Sequence, residues 1–238
     1  MSGQPRALVV QHTANGGPGR FGAWLSEGGL ALDVVRAHDG DPLPDRLSHQ
    51  AVLVLGGGYM PDDDERAPWL APTRALVAEA LDGGVPVFGI CLGGQLLAQV
   101  AGGTVAADHG APEIGSTPLT LLPAAEDDPL FHGLPPHPTA IENHVDAITR
   151  LPSGARWLAR SERCPYQAFA VGDRAWGTQF HPEATSAQVR AWQPERLLRH
   201  GLDPAETVRR AEADEPAAAE VWRTVALRFA ALVTAPRS

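Results

Sequence analysis

The chain has 238 residues, of which 44% are hydrophobic and 20% charged, and its formal net charge is -9 at pH 7. This composition indicates one folded domain and excludes a disordered chain. A net negative chain without a dense arginine cluster also excludes a protein that binds nucleic acid through its phosphates. All 19 basic residues are arginine, which excludes chemistry that requires a lysine amine.

Short apolar runs alternate with helical patterns over the first half of the chain, which predicts parallel strands joined by crossover helices. In chain order, strands are predicted at residues 7–11, 31–36, 51–55 and 85–90, and helices at 21–28, 69–81 and 92–101. The run at 51–55 ends in three glycines and is fully apolar. Such a pattern is typical of a strand buried on both faces.

The pattern changes after Gly102. Short strands with proline or glycine turns are predicted at 114–122, 139–149, 155–160, 167–171 and 174–180 as antiparallel additions to the parallel core. Helices follow from Ser186 onward. Asp203-Pro204-Ala205-Glu206 is a strong helix start, and residues 214–216 are expected to open the last helix, which ends near 232. We therefore expect an α/β fold in one domain, 1–238, with a core over 5–185 and a helical extension over 186–238.

The two cysteines, Cys91 and Cys164, are too few for a disulfide framework. The N-terminus lacks a basic flank with a long apolar stretch, and no apolar run approaches the ~20 residues that span a bilayer. We expect a cytoplasmic protein that does not act at a membrane.

Cys91 stands at the centre of Gly89-Ile90-Cys91-Leu92-Gly93, where a predicted strand passes directly into a predicted helix. This spacing is typical of a nucleophile elbow, a strained turn that lifts the central side chain out of the sheet. The helix N-terminus favours a thiolate, and the N–H of Leu92 can donate to an oxyanion. The pentapeptide alone fits equally well a small buried cysteine in a packing turn. Cys164 lies in a predicted turn without such a setting.

His181 and Glu183 stand in a His-Pro-Glu turn that closes another predicted strand. A thiolate nucleophile needs a base that also protonates the leaving amine, and histidine fits because its pKa lies near neutrality. Glu183 can hold the other ring nitrogen, since Pro182 bends the chain between them. A lone His-Pro-Glu is more often an ordinary turn. Combined with an elbow cysteine, it indicates a Cys-His-Glu triad.

His144 is the other histidine that competes for the role of base. It lies in the polar segment 142–146, within an otherwise apolar stretch. The segment is either a turn with capping side chains or a loop that contacts substrate, and the residues leave both interpretations open. The remaining His, Asp and Glu residues are scattered, so we expect no metal site, and nothing in the sequence predicts a cofactor.

Together these motifs resemble the class I, or triad, glutamine amidotransferases. Residues 89–95 match the nucleophile motif and 179–183 the His-Pro-Glu motif, in the same order and about 90 residues apart. Gly56-Gly57 after a buried strand matches the oxyanion loop. The resemblance covers most of residues 5–185, and 112–115 is similar to stand-alone members related to the glutaminase part of guanylate (GMP) synthetase. It implies a three-layer sandwich around a mainly parallel, flavodoxin-like sheet.

The resemblance also implies roles for particular residues. Cys91 would be the nucleophile, His181 the acid and base, and Glu183 its orienter. The oxyanion would be bound by the N–H groups of Gly57 and Leu92. The glutamyl end of the substrate would be held by Gln95, the main chain of Asn143, His144 and Val145, and Asp146, which would bind the α-amino group.

Two positions depart from the family pattern, since Gly58 replaces a proline after the Gly-Gly pair and Val145 replaces a glycine. We expect these two replacements to affect how a substrate fits the site more than the reaction that the triad performs. The resemblance implies a cysteine-dependent amidohydrolase that takes glutamine or a γ-glutamyl small molecule and forms a γ-glutamyl thioester. It would deliver ammonia to a separate synthetase subunit, or act as a stand-alone hydrolase of γ-glutamyl peptides or amines. A non-enzymatic binding module is the remaining alternative, which the intact triad disfavours.

Overall fold

A central sheet of eight strands organises the computed structural model, which describes residues 3–235. Its strand order is β2-β1-β3-β4-β12-β11-β10-β7. Neighbours from β2 to β12 are parallel, and those from β12 to β7 are antiparallel. The strands are β1 (Arg6–Gln11), β2 (Ala31–Arg36), β3 (Ala51–Val54), β4 (Val87–Ile90), β5 (Thr104–Ala106), β6 (Glu113–Pro118), β7 (Thr120–Leu121), β8 (Thr139–His144), β9 (Ala147–Arg150), β10 (Arg156–Arg160), β11 (Ala168–Val171) and β12 (Ala175–Thr178).

Helices cover both faces of this sheet and make the fold a three-layer sandwich. They are α1 (Gly19–Glu27), α2 (Leu70–Asp82), α3 (Leu92–Val100), α4 (Ser186–Arg190), α5 (Pro194–Arg199) and α6 (Pro204–Thr234), with short 3-10 turns at Ala37–Asp39 and Pro123–Ala125. Alternate residues of β3 explain the layering, because Leu53 packs in the core of α1 and α6, whereas Val54 packs in the core of α2 and α3. The predicted mainly parallel α/β fold with antiparallel additions and C-terminal helices is confirmed.

Two predicted strands, 114–122 and 139–149, were wrong as single elements. The first divides into β6 and β7, and the second into β8 and β9. The strands β6 and β8 pair with each other in a separate two-stranded sheet, and β9 pairs with β5, a strand that the sequence did not predict. Each of these two runs therefore contributes strands to two different sheets. The position where each run divides is determined by the strands it pairs with, which are distant in sequence.

The last helix was also placed wrongly at 214–216, because α6 runs unbroken from Pro204 to Thr234 with Pro216 inside it. The predicted cap is confirmed, since Asp203 accepts a hydrogen bond from the N–H of Glu206 at 2.8 Å. A proline inside a helix costs ~3 kcal/mol. Buried residues on both sides of it, among them Ala211 and Trp222, keep the helix continuous against the core.

None of the helices within residues 3–235 is both long enough and apolar enough to cross a bilayer.

The contact between α3 and β3 predicts the effect of a single methyl group at Gly93. A Cβ there would lie 2.0 Å from the main-chain oxygen of Val54, and backbone cannot move as a flexible side chain can. We expect Gly93→Ala to lower the free energy of unfolding by about 3 kcal/mol, despite the better helix propensity of alanine. Chemical denaturation measures it. Gly58→Ala, where a Cβ meets nothing within 4 Å, should change stability by less than about 0.5 kcal/mol, and equal effects of the two variants would contradict the packing argument.

Candidate active site

Cys91 lies in the turn between β4 and α3, as the elbow pattern predicts. Its backbone has φ 52° and ψ -108°, a positive φ that non-glycine residues rarely adopt and that is typical of strained functional positions. The N–H of Cys91 donates to the carbonyl of Thr178 at 2.8 Å. Glycine is required nearby, because a Cβ on Gly89 would lie 2.3 Å from the carbonyl oxygen of Gly93. The thiol is nearly buried, at 6% exposure.

His181 and Glu183 form a hydrogen-bonded pair. The His181 Nδ1 lies 2.7 Å from Glu183 Oε1, and the main-chain N–H of His181 donates to the carbonyl of Ile141 at 2.8 Å. Arg20, in the first turn of α1, holds the bend by donating through its Nε to the carbonyl of Pro182 at 3.1 Å. The imidazole is thus fixed by a carboxylate on one ring nitrogen and by main-chain contacts on either side of the turn.

Opposing effects act on the pKa of His181. Burial lowers it, but the charges of Glu183 and then Cys91, together with the hydrogen bond to Glu183, outweigh burial and raise the pKa well above its ordinary value. This setting favours the protonated form of the imidazole. That form can donate to a leaving nitrogen.

The glycine loop after β3 lies directly against this pair. A Cβ on Gly56 would come within 2.9 Å of the His181 ring, and one on Gly57 within 2.8 Å of the Leu92 side chain. The loop rests on His12, whose Nδ1 accepts a hydrogen bond from Trp69 Nε1 at 3.0 Å. Burial, and then the charge of His38, lower the pKa of His12 to about 4. A neutral His12 is thus part of the loop's support.

Gln95 and Gln179 connect the elbow to the far wall of the site. Gln95 Nε2 donates to the main-chain oxygen of Asp146 and to Gln179 Oε1, each at 3.1 Å. Gln179 Nε2 in turn lies 3.6 Å from Cys91 Sγ. Sequence reasoning assigned no role to Gln179, although it stood inside the quoted His-Pro-Glu motif. Its amide is a donor to the sulfur that only the folded structure identifies.

The segment Asn143–Asp146, which is the end of β8 and the two residues that connect it to β9, borders the same site. His144 Nδ1 lies 3.0 Å from the main-chain oxygen of Asp146, and its Nε2 lies 3.3 Å from Glu113 Oε2 and 3.4 Å from Glu142 Oε2. The Nδ1 of His144 thus lies within hydrogen-bonding distance of the main chain, whereas its Nε2 faces two buried carboxyl groups and forms no hydrogen bond within residues 3–235. This favours His181 over His144 as the base, and it makes the segment a wall of the site.

Glu113 and Glu142 are buried carboxyl groups behind this wall. Burial, and then the charge of Glu113, raise the pKa of Glu142 well above its ordinary value. Glu113, His144 and Cys164 bring three ligand-type atoms within 4.8 Å of one another. Burial, then Glu142 and Glu113, raise the pKa of the Cys164 thiol to about 12, and Glu113 Oε2 accepts from Gln167 Nε2 at 2.7 Å. Glu113 is thus held by a neutral amide within this buried cluster.

Nearly all the site residues predicted from the sequence line one cavity of about 450 Å³. The predicted site residues that line it are Gly57, Cys91, Gln95, Asn143, His144, Val145, Asp146, His181 and Glu183. Leu92 does not line it, as expected for a residue proposed to act through its main chain. Sequence reasoning missed Thr13 and Asn15, from the glycine-rich loop after β1, and Gln188, Trp192 and Arg196, from α4, the turn after it and α5. The glycines of the loop were a signal for the first two, whereas nothing local indicated the last three.

A cysteine on a strand-to-helix elbow, next to an imidazole paired with a carboxylate at the carboxyl ends of parallel strands, defines an α/β enzyme of the cysteine triad class. Comparison with known proteins identifies the family within that class. The family model described as "Glutamine amidotransferase class-I" matches residues 24–193. The chain belongs to the class-I glutamine amidotransferase family, and it is accordingly a cysteine-dependent enzyme of the amidohydrolase type.

Individual relatives agree with this assignment. A GMP synthase of Aeropyrum pernix is 31% identical over 88% of this chain, but the match spans only 41% of that relative's length. One subunit of a glutamine-hydrolysing GMP synthase from Sulfolobus acidocaldarius is 44% identical over 65% of this chain and 78% of its own. A solved glutamine amidotransferase from Thermotoga maritima superposes with a TM-score of 0.85 at 26% identity, over 96% of this chain and 99% of that one.

The contrast between the two thiols predicts selective labelling. We expect a glutamine-mimicking diazoketone to modify Cys91 and to leave Cys164 unmodified, because only Cys91 lines the cavity and the raised pKa of Cys164 keeps it a thiol at neutral pH. Peptide mass mapping locates the label. Cys164→Ala should label like the parent protein and Cys91→Ala should not label; modification of Cys164 would contradict the assignment.

The buried carboxyl group of Glu142 predicts a pH dependence of stability. The folded protein holds this proton more tightly than the unfolded chain, so ionisation on unfolding weakens the folded state as pH rises above about 4.5. The Glu142→Gln variant carries a neutral side chain that resembles the protonated acid, so it does not lose stability through ionisation at this position. We expect the unfolding free energy of the variant to rise relative to that of the parent by up to about 1.4 kcal/mol for each pH unit, until the pH reaches the pKa of Glu142 in the folded protein.

Urea denaturation between pH 5 and 8 measures this difference in unfolding free energy. Glu162→Gln, at an exposed position, is the control and should show no such trend. A parent and a Glu142→Gln variant whose stabilities change in parallel with pH would show that Glu142 is ionised in the folded protein.

Proposed function

We propose that Cys91, His181 and Glu183 hydrolyse the amide bond of a γ-glutamyl compound through a γ-glutamyl thioester. The observation that carries this proposal is the grouping of an elbow cysteine and a carboxylate-paired imidazole around one cavity. A thiolate that forms an acyl intermediate and a histidine that protonates nitrogen are together suited to acyl transfer from an amide.

In the first step, Cys91 Sγ attacks the γ-carbonyl carbon of the substrate, and the carbonyl oxygen becomes negative. The N–H groups of Gly57 and Leu92 stabilise that charge, at the position where it develops. The C–N bond then breaks while His181 Nε2–H gives its proton to the leaving nitrogen. The products of this step are ammonia or an amine, and a γ-glutamyl thioester on Cys91.

In the second step, water replaces the amine. His181, now neutral, takes a proton from the water as its oxygen attacks the thioester carbonyl, and Glu183 stabilises the resulting imidazolium. The C–S bond breaks, glutamate leaves, and Cys91 returns as thiolate beside the protonated imidazole. The net reaction consumes one water and one γ-glutamyl amide and yields glutamate and ammonia or the amine.

The glutamyl end of the substrate is held by Gln95 and the segment Asn143–Asp146. The amide of Gln95 is oriented by two hydrogen bonds, which supports a role in which its position is critical. Asp146 binds the α-amino group, and the main chain of residues 143–145 contacts the glutamyl group. Val145 in place of a glycine narrows the choice of conformations there without removing a main-chain donor.

The acceptor in this proposal is a separate synthetase subunit that takes the ammonia. The relative from Sulfolobus acidocaldarius is named as one subunit of a GMP synthase, which supports this arrangement because such a name denotes a multi-subunit enzyme. Gly58 is in open space at the cavity edge. A partner that orders this loop would complete the oxyanion hole.

A stand-alone γ-glutamyl peptide or amine hydrolase is the second candidate, and cavity size favours it. About 450 Å³ lies within the range of roughly 300–1,000 Å³ that is typical of drug-sized ligands, which exceeds what glutamine alone needs. The space beyond the scissile bond can accept a substituent on the amide nitrogen. Both candidates use the same three residues and differ in what leaves and what accepts.

We also propose that the chain works as one domain in the cytoplasm. Trp222 and Phe229 of α6 lie in the same core as Phe88 and Trp176 of the sheet, which supports a single folding unit over the described residues 3–235. Both cysteines are free thiols, as a reducing location requires.

The proposed chemistry predicts hydrolysis of γ-glutamyl amides by the isolated chain, with slow turnover of free glutamine. The loop that carries Gly58 is free to leave its active geometry, and a misplacement of about 1 Å can cost roughly a hundredfold in rate. Glutamate and ammonia release from glutamine, and glutamate release from a panel of γ-glutamyl amines and peptides, measure it.

Cys91→Ala is the blank for these assays, and Cys164→Ala is the matched control that should retain full activity. Brisk hydrolysis of one γ-glutamyl compound over glutamine would favour the stand-alone hydrolase. Fast glutamine turnover without a partner would contradict the loop argument, and inactivity on every substrate would contradict the proposed hydrolysis by the isolated chain.

A further inference from the structure

Arg196 of α5 contributes a positive charge to the wall of the cavity. Its Nη2 donates to Asn143 Oδ1 at 2.5 Å, which places the guanidinium beside the strand end that is proposed to hold the glutamyl group. Among the described residues that line the cavity, it is the one guanidinium. The side chain is partly buried, so an anion bound there would be partly shielded from water.

No carboxylate within residues 3–235 forms an ion pair with Arg196. Two other arginines that contact α6 differ, since Arg190 of α4 pairs with Glu212 and Arg20 of α1 pairs with Glu215 at 3.2 Å. Guanidinium groups are well suited to carboxylates because their planar fork can donate two parallel hydrogen bonds. A partly buried guanidinium that contacts only a neutral amide thus has donors available for an anionic ligand.

We propose that Arg196 binds the α-carboxylate of the γ-glutamyl substrate and makes a free α-carboxylate a requirement for binding. This inference rests on the proposed function and adds a specificity-determining residue to it. Asp146 lies at one end of the segment 143–146, and Arg196 is hydrogen-bonded to Asn143 at the other. The α-carbon of a γ-glutamyl compound carries one ammonium and one carboxylate group, and this pair of opposite charges matches them.

The same guanidinium could instead meet a carboxylate on the leaving amine, as in a γ-glutamyl peptide. The contact with Asn143 favours the α-carboxylate, because the main chain of that residue is proposed to hold the glutamyl end. The leaving group departs on the side of His181, which protonates it. The two assignments predict different responses to substrates that lack one carboxylate, so binding measurements distinguish them.

Calorimetric binding to the Cys91→Ala protein tests the proposal without turnover. L-Glutamine should bind roughly 10- to 100-fold more tightly than its α-carboxamide, the range expected for a charge-assisted hydrogen bond. Arg196→Gln, added to that background, should bring this ratio close to one, and Arg196→Lys should restore part of it. Arg199→Gln, at an exposed position on the same helix, should leave the ratio unchanged, and thermal unfolding of each variant verifies the fold.

A ratio that survives Arg196→Gln would overturn the inference while leaving the proposed hydrolysis intact. An Arg196→Gln variant that loses discrimination between γ-glutamylglycine and its glycinamide analogue, but keeps the α-carboxylate ratio, would assign the guanidinium to the leaving group and also overturn it. Failure of the Cys91→Ala protein to bind any γ-glutamyl compound, with no diazoketone labelling of the parent, would instead reject the proposed function itself, and the inference with it.

Discussion

The parallel pairing of β4 with β12 is the constraint on which the site depends. Its register places Ile90 opposite Thr178, so the residues that follow each strand emerge side by side at one edge of the sheet. Cys91 is held to β12 by its N–H donating to Thr178, and three residues later the chain reaches His181. Two segments about 90 residues apart in sequence are thus brought together by main-chain hydrogen bonds. Glycines at the elbow then permit α3 to approach closely enough for the turn to form.

Burial shifts the pKa of three groups around this edge, and the charged groups beside each one decide whether its pKa rises or falls. His12 has no anion to offset burial, so its pKa falls to about 4 and it serves as a neutral support for the glycine loop. His181 is paired with Glu183 and faces Cys91, and its pKa rises. Glu142 lies near a second carboxylate, and its pKa rises because the neutral acid is favoured. Within one low-dielectric region, burial and local charges thus favour a neutral imidazole at His12, a protonated imidazole at His181 and a protonated acid at Glu142.

The C-terminal helices belong to both the core and the cavity. Trp222 and Phe229 of α6 pack under the sheet, and Trp192 and Arg196 from the segment before it close the cavity on the side of Asn143. The triad itself is built from β4, the turn after β12 and their loops, which are the elements that the family motifs describe. Several residues that line the cavity come from outside those motifs. In the function proposed above, chemistry and selectivity would be carried by different parts of one fold.

Local sequence determined the parallel strands, the elbow around Cys91, the His-Pro-Glu turn and the cap at Asp203, because each depends on residues within a few positions of one another. Tertiary structure decided the rest. It divided 139–149 into two strands with different partners, kept α6 continuous through Pro216 because its face is buried, and turned His144 toward two carboxyl groups. It also brought Arg196 to Asn143 across 53 residues. These features arise from contacts between distant segments, which the spacing of residues along a chain does not encode.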